Sequence, residues 1–170
     1  EVYHKDLNGG TNPETYSIKL NESDPEGNIS RWYSTLPTST HFTVTKNYFN
    51  ASNENYIAML FASANDADGN PISKVGGYTG DGAATKVITT GFQPRFIIIR
   101  RTASGGNWHV FDTRRGWTAG NDNQMALNNM AAQNNTYNYI GPPTATGFSV
   151  SEPGGEMNMN GTDYIYYAHA

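Results

Sequence analysis

The residues most suited to holding a metal ion stand together in one short segment. Asp66, Asp68 and Asn70 place three oxygen-bearing side chains at alternating positions, and Ca²⁺-binding loops use this spacing to direct ligands at one centre. An EF-hand would need an acidic ligand at its twelfth position, where this chain has Gly77. Asp-Gly-Asn-Pro is also a common turn sequence. Two interpretations therefore stay open, a Ca²⁺ site and a plain turn, and no other cofactor is predicted.

The chain lacks the residue patterns of the common hydrolases. It has no cysteine, which excludes thiol chemistry, disulfides and Cys-ligated metals. Four histidines are present, but no G-x-S-x-G elbow and no H-E-x-x-H helix accompanies them. The glycine-rich residues 76–82 lack the Lys and Ser/Thr of a phosphate-binding loop. We therefore predict no catalytic residues and no enzymatic activity.

Aromatic side chains are the main candidates for ligand binding. Several lie in segments rich in Asn, Thr and Gly, outside clear strand patterns: Trp32, Tyr33, Trp117, Tyr137 and Tyr139. Such segments resemble adaptable binding surfaces, where rigid rings supply contact area and small polar residues supply hydrogen bonds. Subunit interfaces are enriched in the same residues. The sequence does not decide between a glycan-binding surface and an interface.

The elements that must position these residues are short strands. Period-two alternation or β-branched residues predict strands at residues 40–45, 55–62, 86–90, 95–100, 107–112, 147–151 and 163–168. Turn-forming Gly, Asn and Pro separate them, and residues 123–133 are the only helix-like stretch. This spacing predicts an all-β protein built of antiparallel β-sandwich or jelly-roll-like units.

Parts of the sequence occur twice. The pattern P-T-x-T-x-F-x-V stands at residues 37–44 and 143–150. A second pattern, an Asn separated by five residues from Tyr-Ile, stands at residues 50–57 and 158–165. These matches predict about one and a half tandem copies of one unit. Residues 1–63 would be the C-terminal half of a first unit, 64–73 a linker and 74–170 a complete unit. A half unit cannot cover its own apolar face, so we expect it to lean on the second unit or on another subunit.

Composition excludes two classes of partner. The net charge is −4 and the isoelectric point is about 5.5, which argues against strong binding to nucleic acid. No apolar run approaches the ~20 residues that a membrane-spanning helix needs, so membrane insertion is not expected. Charged residues make up only 15% of the chain, so we expect most of the remaining polar surface to be uncharged.

The order of motifs resembles a family of tandem β-rich domains of uncharacterised function, found in tail-fibre-like structural proteins of tailed, often marine, bacteriophages. The motifs that carry the resemblance are residues 77–82, 90–101, 106–112, 115–116, 127–128, 147–150 and 160–166. Residues 66–71 depart from it, because they are longer than the connection expected between copies. The resemblance implies a virion structural protein and supplies no catalytic residues.

The leading hypothesis is therefore a phage virion protein in a tail fibre or another surface appendage. Its expected partners are copies of itself, other virion proteins and host-surface glycans, and its expected location is the phage particle. A capsid decoration protein and a secreted bacterial carbohydrate-binding or adhesin module are alternatives. A glycan-degrading tail enzyme would need two carboxylates about 5–10 Å apart in a cleft, and no spacing in the sequence suggests such a pair.

Overall fold

Strands make up most of the regular structure in the computed structural model, which describes residues 1–119, 121–136, 138–151 and 156–170. The strands are β1 Ala64–Asn65, β2 Pro71–Thr79, β3 Lys86–Thr89, β4 Phe96–Arg101, β5 His109–Asp112, β6 Trp117–Thr118, β7 Asn121–Asp122, β8 Gln124–Ala126, β9 Gly147–Val150 and β10 Asp163–His169. Helix is confined to single turns: the α-helical Lys46–Phe49 and the 3₁₀ turns Leu7–Gly10, Pro13–Thr15 and Thr113–Arg115. The predicted all-β fold is confirmed.

A six-stranded antiparallel sheet organises the chain, in the order β1-β2-β10-β4-β5-β8. β10 lies at its centre, where Tyr164 is opposite Tyr78 of β2 and Arg101 of β4. Successive side chains of a strand point to opposite faces, so this strand contributes to the packing on both sides of the sheet. Two smaller pairs, β3–β9 and β6–β7, complete the strand pairing.

One face of the large sheet packs under the β3–β9 pair. Phe148 of β9 and Trp117 of β6 are fully buried there, and the Trp117 indole N–H donates to the carbonyl of Gly141 at 2.9 Å. The cluster comprises Ile88, Phe92, Ile97, Ile99, Phe111, Trp117, Tyr139, Ile140, Phe148, Val150, Met157, Tyr166 and Ala168. This is the larger of the two cores among the described residues.

The opposite face is covered by the N-terminal residues. Leu7 and Ile18 pack with Ile165 of β10 and with Trp108, the residue before β5. Arg100, which is fully buried, donates from its guanidinium to three backbone carbonyls of the covering loop, those of Lys19 (2.7 Å), Glu22 (2.8 Å) and Asp24. Burial lowers the pKa of Arg100 to about 10, so the side chain stays protonated at neutral pH. The start of the chain therefore leans on the sheet formed by residues 64–169, while the division into one and a half repeat units stays a prediction.

Two predicted strands are wrong. Residues 40–45 and 55–62 are irregular, and the helix-like residues 123–133 contain β8 and irregular chain. Pattern identifies which residues suit a strand, but a strand also needs a neighbour that supplies hydrogen bonds. In the described part of the chain, no helix is long and apolar enough to cross a membrane.

Candidate functional site

The structure buries two of the predicted binding aromatics. Trp117 lies in β6, not in a loop, and its ring packs 6.1 Å from Phe111 and 6.3 Å from Phe148, measured between centroids. Tyr139 belongs to the same cluster. Both rings serve the core, so neither offers a surface to a glycan while the domain is folded. Tyr137 lies outside the described residues.

The other two predicted aromatics lie in the N-terminal part of the chain, apart from that core. Trp32 stacks on Phe49 with centroids 5.6 Å apart, and its indole N–H donates to the carbonyl of Tyr16 at 3.0 Å. Tyr33 is 69% exposed, and its φ of 55° lies in the left-handed region that most side chains avoid. The predicted binding residues therefore do not form one patch, and only Tyr33 among those described presents an open ring.

The predicted metal-ligand segment forms the turn between β1 and β2. Asp66 Oδ1 accepts hydrogen bonds from the backbone N–H groups of Asp68 (2.9 Å) and Asn70 (2.8 Å). The Asn70 side-chain amide donates to Asp66 Oδ2 at 3.1 Å. These bonds lower the pKa of Asp66, the side chain of Asn70 contributing most. The carboxylate is thus used by its own turn, and the described residues contain no group of three His, Cys, Asp or Glu side chains that could hold a metal ion.

An exposed apolar segment, residues 55–62, lies where the sequence pattern predicts a strand and the structure forms none. Its large side chains are Tyr56, Ile57, Met59, Leu60 and Phe61, and all are exposed, Ile57 by 96% and Leu60 by 77%. Among the described residues, no backbone–backbone hydrogen bond involves residues 55–61. The segment therefore has the composition of a buried strand and the surroundings of a loop.

Aromatic contacts hold the 55–62 segment at its two ends. Tyr56 lies edge-on to Phe49 at 6.4 Å, and Phe61 packs on Tyr167 of β10 at 4.8 Å between centroids. Both ends of the segment therefore contact the rest of the fold, while Ile57, Met59 and Leu60 between them are exposed.

The edge of β2 beside this segment is also open. β2 pairs with β10 from Ser73 to Thr79, but β1 covers only its first residues, from Pro71 to Ser73. A groove separates this edge from β3 and is lined by Lys74, Gly76, Gly77, Lys86, Val87 and Thr89, among others. Val87, on the β3 side of this groove, is 70% exposed. An unpaired strand edge is a ready template for another strand.

A sequence model of one protein family matches residues 1–170, and that family is described as a domain of unknown function, DUF7483. The chain belongs to this family. No curated protein and no solved structure matches it. The family description assigns no activity, so the link to phage structural proteins stays a prediction from the sequence.

Two buried polar groups of this DUF7483 domain lie away from the open edge. Asp122 of β7 is buried, and its Oδ2 accepts from the backbone N–H of Ile140 at 2.8 Å, while Oδ1 has no hydrogen-bond partner among the residues that the structure describes. Burial raises the pKa of Asp122 to about 6. His109 Nδ1 lies 3.0 Å from Gln124 Oε1, and its Nε2 lies 3.8 Å from Glu156 Oε2. Neither group lines the groove beside β2.

Proposed function

We propose that this protein is a structural component of a bacteriophage particle, in a tail fibre or another surface appendage, and that it assembles with other subunits through the 55–62 segment. The phage assignment derives from the sequence resemblance. The assembly assignment derives from one structural observation, the continuous apolar segment whose large side chains are all exposed.

The size of the exposed segment supports assembly. Burying one large apolar side chain stabilises by about 1.5–3 kcal/mol, and five such side chains lie within six residues here. Large contiguous apolar patches on soluble proteins are typical of interaction sites. Covering this segment with another subunit would therefore supply enough free energy to offset a substantial part of the cost of association.

The low charge of the chain suits a role outside a cell. Only 15% of residues are charged and the net charge is −4, so contacts made through apolar side chains dominate over ion pairs. Salt screens interactions between exposed charges, but it does not weaken apolar burial in this way. We expect assembly that persists across a wide range of ionic strength.

Host-surface glycan is the proposed external partner, and Tyr33 is the side chain best placed to contact it. Its ring is exposed in a tight turn whose neighbouring residue, Ser34, also has positive φ. A rigid, exposed aromatic ring supplies contact area at low entropic cost. Glycan binding by the isolated, monomeric domain would instead favour the alternative of a secreted carbohydrate-binding module.

Mass measurement and labelling test the proposed function. Light scattering coupled to size exclusion should show oligomers of the wild-type chain that Met59→Asp weakens and Met130→Asp leaves intact, since both methionines are exposed but only the first lies in the segment. Equal behaviour of the two variants, or a monomer at every concentration, would refute assembly through this segment. Gold-labelled antibody on phage particles should decorate an appendage, whereas label spread over the capsid would favour a decoration protein.

A further inference from the structure

We propose that the 55–62 segment of one copy adds as an antiparallel strand to the open edge of β2 in a second copy. This proposal rests on the proposed assembly function and specifies its partner and its geometry. It joins two features that the fold leaves incomplete, an apolar segment whose residues 55–61 make no backbone–backbone hydrogen bond among the described residues and a strand edge that β1 covers only at its beginning.

The acceptor edge presents regularly spaced backbone groups. The N–H of Val75 faces this edge, because it donates to Ser63 Oγ at 3.0 Å. Residues two apart on a strand direct their backbone groups to the same side, so Gly77 and Thr79 present their N–H and C=O groups along the same edge. No strand covers them among the described residues. Val87 on the far side of the groove offers an apolar contact to an incoming side chain.

The donor segment matches this edge in length and in chemistry. Residues 56–62 are seven consecutive apolar residues, which span about 24 Å when extended. The uncovered part of β2, residues 74–79, spans about 20 Å. A strand of similar length can therefore satisfy the open backbone groups over the whole uncovered edge.

The chain already contains one example of this pairing. In the repeat alignment, residues 55–62 correspond to β10, since Tyr56-Ile57 matches Tyr164-Ile165. β10 pairs with the edge of β2 that lies opposite the open one, and Ile165 of β10 is opposite Gly77 of β2. A strand of this sequence pattern is thus compatible with β2 as a neighbour, and a second copy of the chain supplies another such strand.

The segment does not complete the edge of its own copy. At Ser63 the segment moves away from β2. The backbone N–H of Val75 donates to the Ser63 hydroxyl, where a neighbouring strand would supply a carbonyl. Ser73 Oγ donates to the carbonyl of Ala62 at 2.8 Å. Beyond this point Phe61 packs on Tyr167, which directs the segment away from residues 76–79. The remaining edge is therefore available to a second copy, either reciprocally in a closed pair or one-way in an open chain of subunits.

Because the chain has no cysteine, a disulfide scan tests the pairing directly. Thr79→Cys is mixed with single-cysteine variants at each position from 55 to 60, and intermolecular disulfides are measured after mild oxidation. A disulfide needs Cα atoms about 4.4–6.8 Å apart, so an ordered strand should give one position a yield about tenfold above its neighbours, from the high local concentration of the two thiols. Thr118→Cys, exposed on β6, is the matched control and should show no preferred position.

The outcomes separate this proposal from the proposed function. Oligomers that form without a preferred position in the scan would overturn strand addition and leave assembly standing. A monomeric wild type would overturn both. A third variant carries Thr79→Cys and the second cysteine in the same chain. If it forms an internal disulfide at high dilution, the segment pairs with its own copy, and the second copy as partner is overturned.

Discussion

Replacing Asp122 by Asn should remove a loss of folding stability that the wild type undergoes as the pH rises towards neutrality. Asp122 is buried with one oxygen bonded to the Ile140 N–H and the other without a partner. Asn retains an oxygen that accepts the bond from Ile140 and removes the ionisable group. The charged carboxylate is the costly state in this environment, because burial disfavours the ionised form.

The sign and size of the effect follow from the pKa. Burial raises the pKa of Asp122 from 3.8 to about 6 in the folded state, so folding favours the protonated form. The associated stability is fully present below pH 3.8 and is lost as the pH rises through about 6. Between pH 4 and pH 8, the free energy of unfolding of the wild type should therefore fall by about 2–3 kcal/mol relative to that of the Asn variant. This corresponds to roughly 4–12 °C in melting temperature for a domain of this size.

Urea unfolding at several pH values measures this difference. The buried amide of Asn also leaves an N–H group without a partner, which adds a cost that does not depend on pH. The decisive quantity is therefore the change in the stability difference between pH 4 and pH 8, rather than its value at one pH. Asp68→Asn, exposed in the β1–β2 turn, is the control and should show no such change. A difference between Asp122→Asn and wild type that stays constant across this range would refute the reasoning.

Three further predictions concern the cores and the turn. Arg100→Met should destabilise the fold by about 3 kcal/mol or more, because three backbone carbonyls of the covering loop lose a charged donor, and limited proteolysis should then cleave within residues 1–27; unchanged protease resistance would contradict this anchoring role. Trp117→Ala should cost about 3–5 kcal/mol by leaving a cavity, measured by thermal unfolding, whereas weakened cell adsorption with unchanged stability would restore a binding role for this ring. Addition of Ca²⁺ or of a chelator should leave the melting temperature unchanged, because Asp66 already accepts bonds from its own turn, and a Ca²⁺-dependent rise would revive the metal site.

The strands that sequence pattern locates well are those in which β-branched and apolar residues coincide with burial. The predicted strands at 86–90, 95–100 and 163–168 correspond to β3, β4 and β10 within one or two residues. Local preference and tertiary packing agree at these places. Successive side chains of β10 point to opposite faces of the sheet, and each face meets a core: Tyr166 and Ala168 pack in the larger core and Ile165 in the smaller one.

The strands and sites that pattern misses depend on partners. The 55–62 segment has strong β character, but strand preference does not specify which neighbour supplies hydrogen bonds. Trp117 follows Gly116 and precedes Thr118 and Ala119, which suggests an exposed loop, yet its ring fills the centre of a core. Asp122 carries no signal in the sequence, since its unpaired oxygen results from the packing of β7 against the chain around Ile140.

Among the described residues, β10, the central strand of the large sheet, follows all of its sheet partners in the sequence, and this affects the order of events during synthesis. β2 and β4 cannot be joined until β10 has left the ribosome, so the sheet closes only at the end of translation of these residues. A segment with the same Tyr-Ile pattern emerges about a hundred residues earlier, at residues 56–57. The nascent chain therefore presents two segments with this pattern, and in the native sheet the later one lies between β2 and β4 while residues 55–62 stay outside the sheet.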